Sequence, residues 1–305
     1  MQLIRYPEKF SAPPTAVAIG NFDGLHQGHR AVLDAARLEG LAPAVLTFEP
    51  HPRRLFTPDA PAFRLEPLAV KLARLRDLGV QYCFMPRFDA AFAALSARQF
   101  LDGVLGKQLN AHAVITGENF AFGKGRGGDV TMLKDWGAAH GVTVHTVPPL
   151  MIDGAVCSSS AVRRALEAGD MARAQHLLGR AYSLGGRVLH GDKRGRALGM
   201  PTVNIALAPG IKLPKLGIYA VWVKLGEAYV KGAASLGVRP TIGAQERPTL
   251  EVHLLDFNGD LYGRKLEVKF VQWLRGEEKF ASLDDLKTAM QKDCEQARAA
   301  LEGTL

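Results

Sequence analysis

Up to about residue 180, short apolar runs alternate with stretches of helical spacing. Thr15–Gly20, Ala42–Phe48, Val80–Met85, His112–Thr116 and Val142–Val147 read as strands, and the segments between them are amphipathic. Strands that alternate with helices predict a parallel sheet with helices on both faces, which takes its ligands at the carboxyl ends of the strands. Local signals agree. Pro67 is placed for a first helical position before VKLARLRDL, Gly79 follows the end of that run, and Ser96 with Gln99 forms a capping box.

From Tyr182 the period changes to two, in Ile218–Leu225, Leu250–Phe257 and Leu266–Trp273, with the turn FNGD at 257–260. Antiparallel strands closing into a small barrel are expected there. The stretch from Ser282 to Leu301 returns to helical spacing, with Ser282 and Asp285 as a capping pair. The change of period, with Gly179, Gly185 and Gly186 beside it, sets the expected domains at 1–180 and 181–305.

Composition adds limits rather than an answer. The chain has 305 residues, 47% hydrophobic and 22% charged, enough for two cores and against disorder. The first residues, MQLIRYPEKF, lack a signal-like apolar core, and no run reaches the length of a membrane span, so a cytoplasmic protein without membrane partners is expected. Cys83, Cys157 and Cys294 are odd in number, widely separated and without a CxxC pair, so neither a disulfide framework nor a zinc site is signalled. A net charge of +8 is scattered except at Arg187, Lys193, Arg194 and Arg196; so mild an excess suits small phosphorylated ligands as well as a nucleic acid, and no nucleic-acid partner is expected.

Two segments carry candidate chemistry in the first half. Gly20-Asn21-Phe22-Asp23-Gly24-Leu25-His26-Gln27-Gly28-His29 follows the first strand and enters a helix near Gly28. Glycines allow close approach of the backbone, and free N–H groups at a helix start favour phosphate. His26 and His29 can both donate to a nucleotide's phosphates and stabilise charge during attack on the α-phosphate. A His-x-x-His pair alone is more often a surface or metal coincidence, and its strand-turn-helix setting is what favours the nucleotide. Near Cys157-Ser158-Ser159-Ser160, Ser159 or Ser160 is expected to cap a second helix, with Arg163 one turn inside. The loop Gly117–Arg126, with Asn119, suits a base or a flavin ring, or is a plain surface turn.

In the second half His190-Gly191-Asp192-Lys193-Arg194-Gly195-Arg196 leads into Gly199-Met200-Pro201-Thr202-Val203-Asn204. Glycine and cationic groups cradle polyphosphate, and Thr202 and Asn204 can aim oxygen donors to one face, where Mg²⁺ bridged to ATP would fit. Without that loop, a Pro-anchored turn would be the plainer reading. Phosphorylating a hydroxyl needs a base. Glu251 is the candidate, although strand parity, which puts Glu251 and His253 on one face and Val252 and Leu254 on the other, equally permits a solvated carboxylate.

These motifs resemble a known family. GNFDGLHQGH, TFEPHPRRLF, GENFAFGKGRGGD and SSSAVRRALEAGD occur in the order found in the FMN adenylyltransferase module of bacterial bifunctional riboflavin kinase/FAD synthetases. HGDKRGRALGMPTVN, GVRPTI, LEVHLLDF and LYGRKLEVKFVQWLR resemble its riboflavin kinase module. The resemblance implies a Rossmann-like nucleotidyltransferase domain and a six-stranded barrel with a C-terminal helix. The expected reactions are phosphorylation of riboflavin to FMN and adenylylation of FMN to FAD, both with ATP. It implies that His26 and His29 bind ATP phosphates, that Asn21, Asn119, Ser159 and Arg163 line the nucleotide and FMN site, and that the FMN phosphate attacks without a protein nucleophile. It also implies Thr202 and Asn204 as metal and phosphate ligands and Glu251 as general base. Three positions depart from the family pattern: Ser160 replaces threonine, Cys157 an isoleucine, and Ser235 an asparagine. Cys157 reads as a small buried hydrophobe. HxGH loops also open pantetheine-phosphate and nicotinate-mononucleotide adenylyltransferases and class I aminoacyl-tRNA synthetases, which lack this barrel. A degenerate flavin- or RNA-binding protein would be expected to have lost some of these polar groups.

Overall fold

The computed structural model describes residues 1–5, 13–37, 39–190, 199–239 and 247–304. By contacts the chain divides into two compact units, Met1–Pro61 with Glu66–Ser159, and Ala62–Leu65 with Ser160–Leu305.

The first unit is built on six parallel strands: β1 (Gln2–Ile4), β2 (Thr15–Ile19), β3 (Ala42–Leu46), β4 (Tyr82–Phe84), β5 (Ala111–Gly117) and β6 (Thr143–Val147), in the order β1-β4-β3-β2-β5-β6. The five strands expected from apolar runs all form, with ends shifted by up to two residues. β1 was not read from the sequence: its three residues, of which only Ile4 is buried, form no apolar run. Helices cover both faces, which explains why β2 and most of β3 and β5 are buried on both sides. Ala16, Ala18, Val45, Cys83 and Ile115 pack toward Val32, Leu33 and Ala36 of α1 (Gln27–Arg37). Val17, Ile19, Leu46, Phe84 and Val114 face the opposite way, toward Leu101, Leu105 and Trp136.

Further helices in this unit are α2 (Pro52–Phe56), α3 (Leu68–Asp77), α4 (Ala90–Ala93), α5 (Ala97–Gln99) and α6 (Val130–His140). The capping box of Ser96 and Gln99 forms. The chain beyond it winds as a π-helix, Phe100–Gln108, which sequence spacing did not show. Pro67 lies one position earlier than expected: it is the N-cap of α3, which starts at Leu68. A short hairpin of β7 (Met151–Ile152) and β8 (Ala155–Val156) precedes α7 (Ser159–Ala168) and α8 (Met171–Leu178).

The second unit contains a closed antiparallel barrel, β10-β13-β12-β11-β14-β9, formed by β9 (Tyr182–Leu189), β10 (Val203–Ile205), β11 (Gly217–Leu225), β12 (Ala228–Arg239), β13 (Arg247–Leu254) and β14 (Lys265–Arg275). Tyr219, Val221, Ala234, Val252, Val268 and Phe270 are fully buried and are spaced by two along their strands. α8 packs on β9 and β14, so by contact the residues between Ser160 and the expected boundary near 180 go with the barrel. The C-terminal helix α9 (Leu283–Ala300) starts as expected: Ser282 Oγ accepts from the Asp285 N–H at 3.1 Å and donates to its carboxylate at 2.7 Å.

Candidate active sites in the two units

In the sheet, the chain leaves β2 toward β3 and later returns to β5 on the other side of β2. The crevice between β2 and β5 is therefore a topological switch point, where loops diverge and leave room for a ligand. Two of the loops singled out in the sequence emerge there. A cavity of about 260 Å³ is lined by Gly20, His26, Gly28 and His29 from one, and by Glu118 and Asn119 from the other.

The loop after β2 is folded by its own apolar residues. Phe22 and Leu25 are 1% exposed and sit at φ of 49° and 41°, a region few side chains adopt, with Gly24 at 83° between them. Their burial holds the strained turn. It brings the ring of His26 onto that of His29 at 3.6 Å between centroids and 23° between planes. The His29 N–H donates to His26 Nδ1 at 3.3 Å. A backbone N–H can only donate, so Nδ1 is an acceptor and neutral His26 carries its proton on Nε2. Cys157 Sγ lies 3.7 Å from the same Nδ1, so this residue is buried as expected but also touches a candidate catalytic ring.

Gly28 is required by these neighbours. A Cβ there would meet the Cys157 carbonyl oxygen at 3.1 Å and the His26 ring at 3.2 Å. Gly28→Ala is expected to displace His26 and slow adenylylation of FMN by about 10-fold, since small misplacements at a reacting centre are amplified in rate. Phosphorylation of riboflavin by the same preparation should be unchanged, and comparing the two initial rates checks this.

Ser159 and Ser160 do not cap α7, contrary to expectation. Both already lie inside the helix, whose first residue is Ser159, so neither has the extended backbone of a cap. Ser159 Oγ instead donates to the Asp23 carbonyl at 2.9 Å and ties the helix start to the histidine loop; Asp23 is itself buried. In the second unit Arg163 Nε donates to the Phe63 carbonyl at 2.7 Å, and its guanidinium lies over the Phe63 ring.

A second cavity in the first unit, of about 960 Å³ and not foreseen from the sequence, is lined by Phe48, Phe56, Phe88, Phe92, Phe120 and Phe122. Phe120 and Phe122 stack at 5.4 Å, and Phe48 meets both Phe88 and Phe92 at 5.5 Å. Phe88 and Phe92, four apart, were the available signal, but they read equally well as core. The two cavities share Gly20, Asn119 and Phe120 as a common wall, and Asn21 lines the aromatic one.

In the barrel the polar candidates form a row across three strands on the outer face. Glu251 on β13 is the cross-strand partner of Asn204 on β10 and of Ser235 on β12. Directly opposed residues point to the same face, so parity places Glu251 outside the barrel while Val252 and Leu254 fill it. Thr202 Oγ1 donates to Glu251 Oε2 at 3.5 Å, and His253 Nδ1 donates to the Pro201 carbonyl at 2.8 Å, holding the Pro-Thr turn against the strand of Glu251. Gly199 at φ 78° makes the bend before it. The His190 ring lies against that of Tyr262, with centroids 3.9 Å apart and planes tilted by 32°. Gly191, Lys193 and Arg196 lie outside the described residues.

This row opens on a cavity of about 410 Å³ lined by Thr202, Ser235, Glu251, Phe280, Met290 and Cys294, between the barrel face and α9. Arg275 at the end of β14 grips Asp293 of α9 through both oxygens, at 2.8 and 2.7 Å, and so pins the helix that forms one wall. Burial, reinforced by the Asp293 carboxylate, pushes the Cys294 thiol up to about 11, so it meets the cavity as a neutral group. Among the described residues no three His, Cys, Asp or Glu side chains could together hold a metal ion. Thr202, Asn204 and Glu251 nevertheless offer hard oxygen donors on one face. That set fits Mg²⁺, which takes few protein ligands and completes its shell with phosphate and water.

Comparison with known proteins agrees with both halves. Residues 9–161 match the family model described as FAD synthetase, and residues 178–301 match that of riboflavin kinase. A Bifunctional riboflavin kinase/FMN adenylyltransferase of Escherichia coli (strain K12) is 42% identical over 301 residues, covering 96% of each chain. Its counterparts in Pseudomonas fluorescens and Bacillus subtilis (strain 168) are 43% and 36% identical, over 92% and 93% of this chain and 91% of their own. A crystal structure named as a Macrolide-efflux Protein from Streptococcus pneumoniae superposes with a TM-score of 0.88 at 30% identity, over 97% of this chain and 98% of that one. No helix among the described residues is long and apolar enough to cross a membrane.

Proposed function

Because the chain belongs to the bifunctional riboflavin kinase/FMN adenylyltransferases, which make FMN from riboflavin and ATP and then FAD from FMN and ATP, we propose that each reaction has its own site in its own unit. By the boundary read from the sequence, residues 1–180 carry adenylylation and residues 181–305 carry the kinase.

One observation carries this reading: in each unit a polar cluster suited to polyphosphate opens on a cavity large enough for a flavin ring system. In the first, the shared wall of Gly20, Asn119 and Phe120 lets FMN lay its rings among the phenylalanines and present its phosphate at the histidine pair. A phosphate oxygen of FMN attacks the α-phosphorus of ATP, the bond to the β-phosphate oxygen breaks, and diphosphate leaves. Nε2–H of His26, with His29 stacked on it, donates to the phosphate oxygens on which charge develops. Asn21 and Asn119 orient the reactants. No protein nucleophile is needed.

In the second unit riboflavin occupies the cavity under α9 with its terminal hydroxyl at Glu251. The carboxylate takes the hydroxyl proton as that oxygen attacks the γ-phosphorus, and ADP leaves. Thr202 and Asn204 would hold Mg²⁺, which would supply charge neutralisation at the triphosphate. His190, Gly191, Lys193, Arg196, Gly199 and Pro201 are assigned to phosphate binding by their place in the sequence. A cytoplasmic site of action completes the reading, in keeping with three cysteines outside any disulfide.

Incubating the purified protein with riboflavin, ATP and Mg²⁺ should give FMN first and FAD after a lag, followed by chromatographic separation of the flavins over time. FAD appearing without prior FMN, or no flavin product at all, would defeat the assignment.

A further inference from the structure

We propose that Lys71 is a positioning residue for adenylylation, whose buried ammonium sets the phosphate-binding turn and supplies positive charge beneath it. The inference rests on placing that reaction at the histidine loop. Lys71 belongs to α3 and is only 7% exposed; with Leu75, four residues on, it forms the buried stripe of that helix. A methionine would fill such a position without the penalty of taking a charge out of water.

The ammonium is aimed at the ligand-binding edge of the sheet. Nζ donates to the Asn21 carbonyl at 3.1 Å and to Thr47 Oγ1 at 3.1 Å, and Thr47 Oγ1 donates to the same carbonyl at 3.2 Å. Thr47, fully buried, immediately follows β3, and Asn21 follows β2. The triangle thus ties α3 and two strand ends to one peptide of the turn. In a trans peptide the carbonyl and the N–H point in opposite directions. Holding the Asn21 carbonyl inward therefore turns the Phe22 N–H away from the ammonium, in a stretch whose left-handed φ at Phe22 and Gly24 favours a cradle of N–H groups for an anion. The positive charge lies one hydrogen bond below that cradle, where low dielectric strengthens its effect on a bound triphosphate.

The test uses the full-length chain with ATP, FMN and Mg²⁺, measuring kcat and the KM for ATP of adenylylation, FMN affinity by quenching of flavin fluorescence, and the kinase rate as a check of folding elsewhere in the chain. Lys71→Met should lower kcat/KM for ATP by about 10- to 100-fold, the range for losing hydrogen bonds from a charged group. FMN affinity should fall by less, staying within about 2-fold, because the phenylalanines of the aromatic cavity are untouched and only its Asn21 edge is held by Lys71. Lys71→Arg should recover part of the loss by restoring the charge. Thr47→Val, which removes only the hydroxyl, should show a smaller defect of the same kind and serves if Lys71→Met fails to fold. Unchanged kcat/KM for ATP in both variants overturns the proposal, as does equal weakening of ATP and FMN, which would mark a merely structural lysine. Full adenylylation by His29→Ala would instead overturn the site assignment on which the proposal rests.

Discussion

Glu251→Gln should cut FMN formation from riboflavin by about 10²- to 10⁴-fold, the usual contribution of a general base, while the same protein goes on converting supplied FMN to FAD. Glutamine keeps the shape and the contact with Thr202 but cannot accept the hydroxyl proton. The carboxylate lies on the outer barrel face between Asn204 and Ser235, and the barrel core is formed by Val252 and its neighbours, so folding should be unaffected. Separate assays with riboflavin and with FMN as substrate read the two steps. A parallel fall in both rates would mean that the sites are not separate, and an unaltered kinase rate would remove Glu251 from the chemistry.

His29→Ala should give the opposite pattern, with adenylylation reduced by about 10²- to 10³-fold, as when one donor to a developing charge is removed, and riboflavin phosphorylation intact. The effect has two sources in the geometry. A donor is lost, and so is the ring that stacks on His26 at 3.6 Å. The His29 backbone N–H, which holds His26 Nδ1 as an acceptor, survives the substitution. His26→Ala with His29→Ala should therefore cost less than the sum of the single losses, since the two rings act as a unit. Additive losses would separate their roles.

Much of this protein was legible before its structure. Apolar runs gave five of the six strands of the sheet, and period two gave three long barrel strands with the correct facing of Glu251. Local hydrogen-bond chemistry gave the caps at Ser96 and Ser282. The same reasoning failed at Ser159 and Ser160, where a serine at a helix start reads as a cap but the hydroxyl is drawn away to the Asp23 carbonyl, 136 residues earlier in the chain. It also failed at Lys71, because a lysine on an amphipathic helix is ordinarily solvated and nothing local reveals that Nζ reaches Asn21.

The sequence by itself determined which segments become strands and helices and which of them carry phosphate-binding chemistry, because both follow from short-range preferences and from the residue types present. Only the tertiary structure decided what those segments meet. The strand order places two loops almost a hundred residues apart across one crevice, the barrel register sets Asn204, Glu251 and Ser235 in a single row, and phenylalanines from distant segments enclose one cavity. Such contacts depend on how the chain closes on itself, and sequence periodicity extends over only a few residues at a time.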